Sequence, residues 1–214
     1  CFSSITLSRL AAAALSSGFG AEIDVWGIRD FRLVLRHDGA SETHELAAPV
    51  EDGLLFIHAK GGNGIFTERL VGAVRGWDRP ETYVFCSPSN DAMLATVQAA
   101  STPEAPIKTL VTVADRDGLA VLLDQPDVLG GADGVWLEQP GDDWVDVHDI
   151  YEIHLAGKTA WVVSSELHGR ALNLGRAVGA WQTADGIVTD YPHLLKRILD
   201  PEDATVHPQE PWWS

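Results

Sequence analysis

The chain has 214 residues, and a hydrophobic fraction of 45% is enough for one domain with a sizeable core. Its 31 acidic and 15 basic residues give a net charge of −16 with no basic cluster, which argues against nucleic acid and anionic membranes as partners. Two cysteines exclude a disulfide framework, and no apolar run reaches the roughly 20 residues of a membrane span. We therefore expect a soluble protein of a reducing cytoplasm, without a transmembrane segment.

Short apolar runs typical of buried strands alternate with amphipathic helical patterns along the whole chain. The predicted strands are Ala21–Val25, Leu33–Arg36, Leu54–Lys60, Thr82–Ser87, Ile107–Val113, Gly134–Glu138, Thr159–Ser164 and Gly186–Thr189. The predicted helices are Leu7–Leu15, Phe66–Trp77, Asp91–Ala100, Gly118–Leu123, Val145–Leu155, Arg170–Trp181 and His193–Leu199. Strands that are apolar throughout and are followed by helices indicate a parallel α/β sheet covered on both faces. A doubly wound sheet and a closed (β/α)8 barrel both fit this pattern.

The first predicted strand carries two carboxylates. An extended Ala21–Val25 places Glu22 and Asp24 on one face, because strand side chains repeat every two residues. Neighbouring carboxylates repel each other unless they share a proton or a cation. The chain then turns and returns through a second apolar run that ends at His37. This pattern indicates a metal site with a histidine close by; the alternative is a half-solvated strand whose carboxylates face water.

Polar residues also follow the later strands, at the ends where parallel α/β folds place their functional sites. His58 stands two residues before Lys60, and is either a ligand or a hydrogen-bonded core histidine. Glu166 and His168 either line the mouth of the site or are loop residues, and Trp26 is expected at the pocket rim. No Gly-x-Gly-x-x-Gly follows the first strand, which favours a barrel over a nucleotide-binding sheet.

Five stretches of the sequence resemble the glycerophosphodiester phosphodiesterase family. Gly18–Asp24 together with Leu33–Asp38 is similar to the family's second signature, and Ala184–Pro192 is similar to its closing strand and loop. Residues 134–137 and 163–170 are closest to a small bacterial branch. The resemblance implies a TIM-type (β/α)8 barrel over residues 1–200, incomplete at its N-terminal strand and followed by a tail at 201–214. It also implies a divalent cation and a small-molecule phosphodiester substrate, with two histidines as general acid and base.

The family's functional residues carry over onto this chain at four positions. Glu22 and Asp24 match two metal ligands, His37 matches the second catalytic histidine, and Lys60 matches a phosphate-binding cation. Where the family has a carboxylate or amide as third ligand, this chain has His58. The resemblance implies Mg²⁺ or Ca²⁺, whereas an imidazole ligand favours Zn²⁺ or another transition metal.

The family's first catalytic histidine lies in a His-Arg-Gly strand ahead of the helix that here begins near Thr6. The sequence starts at Cys1, too late to contain it, and general acid-base catalysis is worth about 10²–10⁴-fold. We therefore expect a metal-dependent phosphodiesterase if an upstream segment completes the site. The alternative is a catalytically impaired barrel that binds a phosphorylated ligand or a protein partner. A Schiff-base enzyme is disfavoured, because the two carboxylates would keep Lys60 protonated.

Overall fold

The computed structural model describes residues 14–17, 19–28, 32–36, 44–46, 53–60, 64–77, 82–86, 91–103, 106–171 and 174–199. The strands in these ranges are β1 (Ala21–Gly27), β2 (Leu33–Leu35), β3 (His44–Glu45), β4 (Leu55–Ala59), β5 (Thr82–Cys86), β6 (Lys108–Val113), β7 (Gly134–Leu137), β8 (Thr159–Val163) and β9 (Gly186–Val188). The helices are α1 (Gly64–Arg75), α2 (Asp91–Ala100), α3 (Arg116–Leu123), α4 (Pro126–Gly131), α5 (Val147–Leu155), α6 (Leu174–Thr183) and α7 (Pro192–Leu199). None of these helices is long and apolar enough to cross a membrane.

The strands form one sheet in the order β3-β2-β1-β4-β5-β6-β7-β8-β9. The pairs β1–β2 and β2–β3 are antiparallel, and all pairs from β1–β4 to β8–β9 are parallel. The predicted α/β architecture with a parallel sheet is therefore confirmed. Closure into a barrel is not seen: across the described ranges no hydrogen-bonded ladder joins β9 to the opposite edge, so the sheet is open.

The two faces of the sheet are packed differently. The face toward the helices is aliphatic and includes Ile23, Ile57, Val111, Val135 and Val162. The opposite face buries a cluster of larger side chains, which we call the inner cluster: Phe56, Leu110, Trp136, Trp161 and Val163. This alternation follows from the two-residue period of a strand, which sends successive side chains to opposite faces.

Contacts within the inner cluster show that the sheet is strongly curved. The rings of Phe56 on β4 and Trp161 on β8 have their centroids 4.7 Å apart, although three strands lie between β4 and β8. In a flat sheet, strands four positions apart would be about 19 Å from each other. The sheet therefore curls around its inner face.

Glycine at position 186 makes room for the inner cluster. Gly186 lies beside Trp161 in the β8–β9 register. A Cβ on Gly186 would lie 2.2 Å from the indole ring of Trp161, which is far inside van der Waals contact. The absence of a side chain at Gly186 thus lets the indole approach the backbone of β9 closely.

The N-termini of α3 and α5 are joined by the guanidinium of Arg116. Its Nη2 donates to Asp149 Oδ2 at 2.6 Å, to Asp146 Oδ2 at 2.7 Å and to the Trp144 carbonyl at 2.6 Å. Asp146 is the N-cap of α5 and accepts backbone N–H groups of His148 and Asp149. Burial would raise the pKa of Asp146, but these N–H donors and Arg116 together hold that pKa below its usual value.

Most predicted elements are present, with differences at their ends. The helix predicted from Arg170 begins at Leu174, because a short 3₁₀ turn, Ser165–His168, comes first and ends at Gly169 with φ 73°. Neither α4 nor β3 was expected, since six and two residues are too short for a periodicity signal. Of the helix predicted at Leu7–Leu15, the described residues include only 14 and 15, which are helical. The predicted tail at 201–214 lies outside the described residues, so the division into a domain at 1–200 and a tail stays a prediction.

Candidate metal centre and substrate cleft

Three potential metal ligands meet on the inner face of β1 and β4. The parallel register sets Asp24 beside His58 and Glu22 beside Phe56, so both carboxylates share the face of the inner cluster. His58 Nδ1 lies 3.3 Å from Asp24 Oδ1 and 3.9 Å from Glu22 Oε1. One oxygen or nitrogen from each of the three lies within 4.8 Å of the other two. We call Glu22, Asp24 and His58 the triad.

The triad fits a divalent cation in its donor chemistry and nearly in its spacing. Two ligand atoms each about 2.1 Å from one cation are at most about 4.2 Å apart, so small side-chain movements would close the triad around an ion. In the metal-free arrangement, the contact between His58 Nδ1 and the carboxylates requires a hydrogen on that nitrogen. For a cation to bind at Nδ1, this hydrogen would have to move to Nε2, which leaves the imidazole neutral.

Lys60 lies against the same carboxylate. Its Nζ is 3.4 Å from Asp24 Oδ1, the atom that also contacts His58. Asp24 is only 8% exposed, and burial alone would raise its pKa. The hydrogen bond from His58 and the positive charge of Lys60 outweigh burial, so the pKa of Asp24 is lower than usual. Asp24 is therefore a carboxylate across the neutral pH range.

A second cation, Arg36, stands on the other side of β1. The Arg36 backbone N–H donates to the Asp24 carbonyl at 3.3 Å, which makes the two residues cross-strand neighbours on the inner face. The Arg36 guanidinium carbon lies 4.5 Å from the centre of the Trp26 ring, and Trp26 Nε1 donates to the Arg36 carbonyl at 2.9 Å. Arg36 Nε is buried and finds no hydrogen-bond partner in the described part of the chain. Trp26, expected at the pocket rim, is thus half-buried under Arg36 and supports it.

A cleft of about 490 Å³ opens beside the triad and shares His58 with it. Its other lining residues come from the ends of β6 and β7 and from α3 and α4: Thr112, Val113, Ala114, Asp115, Gly118, Val121, Leu122, Gln125, Val128 and Glu138. Thr112 is 9% exposed, and its Oγ1 has no hydrogen-bond partner among the described residues. The cleft lining therefore combines polar and aliphatic side chains.

Glu166 and His168 lie in the 3₁₀ turn that follows β8. The hydroxyls of Ser164 and Thr189 donate to the two carboxylate oxygens of Glu166, which ties the end of β8 to the residue after β9. His168 is half-buried, and its Nε2 is without a partner in the described ranges. Glu166 is thus engaged in holding the end of the sheet together.

His37 lies outside the described residues, so its catalytic role stays a prediction.

Sequence reasoning missed two residues of the metal centre and the cleft, Arg36 and Thr112. Arg36 could have been found, because in an antiparallel pairing of the first two predicted strands its side chain lies on the same face of the sheet as that of Asp24. Thr112 gave no signal, since a threonine within an apolar strand is ordinary.

No protein-family model matches the chain, and no curated protein matches it. Among solved structures, it is similar to a glycerophosphoryl diester phosphodiesterase from Parabacteroides distasonis, with a TM-score of 0.58 and 11% identity over 86% of this chain and 76% of that one. A citrate lyase from Burkholderia xenovorans gives a TM-score of 0.46 and 14% identity, over 74% of this chain and 58% of that one. At such low identity the first likeness shows a shared fold, and the second is too weak to carry any argument.

Proposed function

We propose that this protein is a metal-dependent phosphodiesterase that acts on glycerophosphodiester-type substrates. The observation that carries the proposal is the triad beside Lys60, on the inner face of a parallel sheet, with His58 and Lys60 at the carboxyl end of β4. Functional groups of parallel α/β folds gather at those ends. The likeness in fold to a glycerophosphoryl diester phosphodiesterase supports the same chemistry.

The triad would hold the cation, which when bound polarises a phosphoryl oxygen as a Lewis acid. Two carboxylates and one imidazole suit Zn²⁺ or another transition metal better than Mg²⁺ or Ca²⁺, which prefer oxygen ligands alone. His58→Asp would restore an all-oxygen set. We therefore expect His58→Asp to shift metal preference from Zn²⁺ toward Mg²⁺.

Lys60 and Arg36 lie on opposite sides of Asp24, directly after β4 and β2. Their two positive charges balance Glu22 and Asp24, so a bound divalent cation would leave the site positive. A positive site attracts the anionic phosphate of a diester. Arg36 offers several N–H donors in a planar fork that matches phosphate oxygens.

His37 would transfer the proton to the leaving oxygen or from the attacking one, in line with its position in the family motif.

The second candidate function is a catalytically impaired barrel that binds a phosphorylated ligand. It is favoured by Glu166, whose carboxylate oxygens both accept hydroxyl hydrogens and so make it a poor replacement for a second acid-base group.

Turnover of glycerophosphodiesters by the purified chain tests the two functions. Each of Zn²⁺, Mn²⁺, Mg²⁺ and Ca²⁺ would be added to metal-stripped protein and the release of glycerol phosphate followed. Metal-dependent turnover that His37→Ala removes would support the proposal. Metal-dependent binding of a glycerophosphodiester without turnover would favour the second function, and turnover that survives His37→Ala would overturn the proposed mechanism.

A further inference from the structure

The cleft beside His58 has a charge that restricts its ligand. Asp115 and Glu138 contribute carboxylates to its lining, and the described lining residues include no lysine or arginine. A second phosphate or a carboxylate in this cleft would face acidic groups without a compensating cation. The cleft is therefore suited to a neutral or positively charged group.

Two polar groups of the cleft are held in place by the sheet. Thr112 lies beside Trp136 in the β6–β7 register, and its buried hydroxyl has no partner in the described part of the chain. Glu138 is fixed through its main chain, since its N–H donates to the Val113 carbonyl at 2.8 Å and its carbonyl accepts Trp144 Nε1 at 2.8 Å. A buried hydroxyl without a partner is costly, so a ligand that supplies one is favoured.

The kind of positive group follows from the rest of the lining. Recognition of a quaternary ammonium relies on aromatic rings, and no phenyl, phenol or indole ring is among the described lining residues. A primary ammonium instead carries three N–H donors, and Glu138 together with the Thr112 hydroxyl offers acceptors for them. Val113, Val121 and Val128 provide aliphatic surface for a short carbon chain.

We propose that this cleft binds the alcohol portion of the phosphodiester and selects a short alcohol that carries a primary ammonium group. The proposal rests on the proposed function, because it takes the phosphate to lie at the triad. His58 belongs to both the triad and the cleft, so a substrate can span them. Glu138 and Thr112 are then specificity-determining residues.

The test compares glycerol phosphate diesters of 2-aminoethanol, 1-propanol, choline and glycolate. These alcohols are all short and differ mainly in whether they carry a primary ammonium, no charge, a quaternary ammonium or a carboxylate. We expect kcat/KM for the aminoethyl diester to exceed that for the propyl diester by about tenfold, the worth of a charge-assisted hydrogen bond. Glu138→Gln and Thr112→Val should each lower this ratio. Asp117→Asn removes an exposed carboxylate of α3 outside the cleft lining and should leave the ratio unchanged.

Binding of phosphate monoesters to the metal-loaded protein separates the two proposals. Isothermal titration with 2-aminoethyl phosphate and propyl phosphate reports the cleft without any chemical step. A preference for the aminoethyl compound that Glu138→Gln removes supports the cleft assignment, even if no diester is turned over and the proposed function fails. Equal binding of the two compounds overturns the cleft assignment, and so does a preference for the choline or glycolate diester in turnover. The proposed function still stands in either case if turnover of the diesters depends on the metal.

Discussion

Asp24 on β1 and Arg36, which directly follows β2, are cross-strand neighbours joined by a backbone hydrogen bond of 3.3 Å. The Asp24 carboxylate contacts Lys60 and His58, while the Arg36 guanidinium lies over the Trp26 ring. The aromatic face supports the guanidinium by a cation–π contact beside the candidate metal centre. A cation held in this way is available to an anionic ligand.

Arg36→Met should weaken binding of inorganic phosphate to the metal-loaded protein by about tenfold, because a charge-assisted hydrogen bond is worth about 1.5–3 kcal/mol. Isothermal titration would measure the change. Arg197→Met, which removes the same charge from the exposed surface of α7, is the matched control and should leave the affinity as it is. Unchanged phosphate binding in Arg36→Met would remove Arg36 from the site.

The double substitution Glu22→Gln, Asp24→Asn should abolish stabilisation by a divalent cation. In the wild type, a cation at a hundredfold excess over its dissociation constant adds about 2.7 kcal/mol to the free energy of unfolding. Thermal melts with and without the metal would show the difference. Glu152→Gln, on the surface of α5, serves as control, and a metal-induced shift that persists in the double variant would place the cation elsewhere.

Asp146→Asn should reduce stability more at neutral pH than in acid. Because the pKa of Asp146 is lower in the folded protein than in the unfolded chain, its carboxylate stabilises the fold above its ordinary pKa of about 3.9. This contribution is lost as the pH falls through the lowered pKa of the folded state. Urea unfolding at pH 7 and at pH 3 should therefore show a difference in the free energy of unfolding between wild type and variant that is smaller at pH 3. An equal difference at both pH values would contradict a lowered pKa of Asp146.

Gly186→Ala should destabilise the protein by about 1–3 kcal/mol, because the added methyl group would overlap the Trp161 ring. The free energy of unfolding in urea measures this. Gly72→Ala, in α1 with open space around the added Cβ, should be neutral or slightly stabilising. Trp161→Leu in the Gly186→Ala background should show a favourable coupling energy, and additive effects would mean that the two residues do not contact.

Several residues of the candidate metal centre could be predicted from the sequence, but the physical basis differs from residue to residue. Glu22 and Asp24 were expected on one face, since the two-residue period of a strand is a local property. His58 and Lys60 were expected nearby because they end a neighbouring predicted strand, and the resemblance to a family motif gave them their roles. The role of Glu166 could not be assigned from sequence. Its hydroxyl partners Ser164 and Thr189 directly follow β8 and β9, and they come together only because these two strands pair.

The sequence by itself determined the alternation of strands and helices, the parallel α/β class and the shared face of Glu22 and Asp24. Tertiary structure decided which groups meet across strands: β1 pairs with β4, so His58 lies beside Asp24, and β2 turns back along β1, so Arg36 reaches Trp26. It also decided that the sheet curls until Phe56 touches Trp161, and that the Thr112 hydroxyl is buried beside a cleft. The physical reason is that side-chain periodicity is a local property of the backbone, whereas register and curvature arise from contacts between residues far apart in the chain.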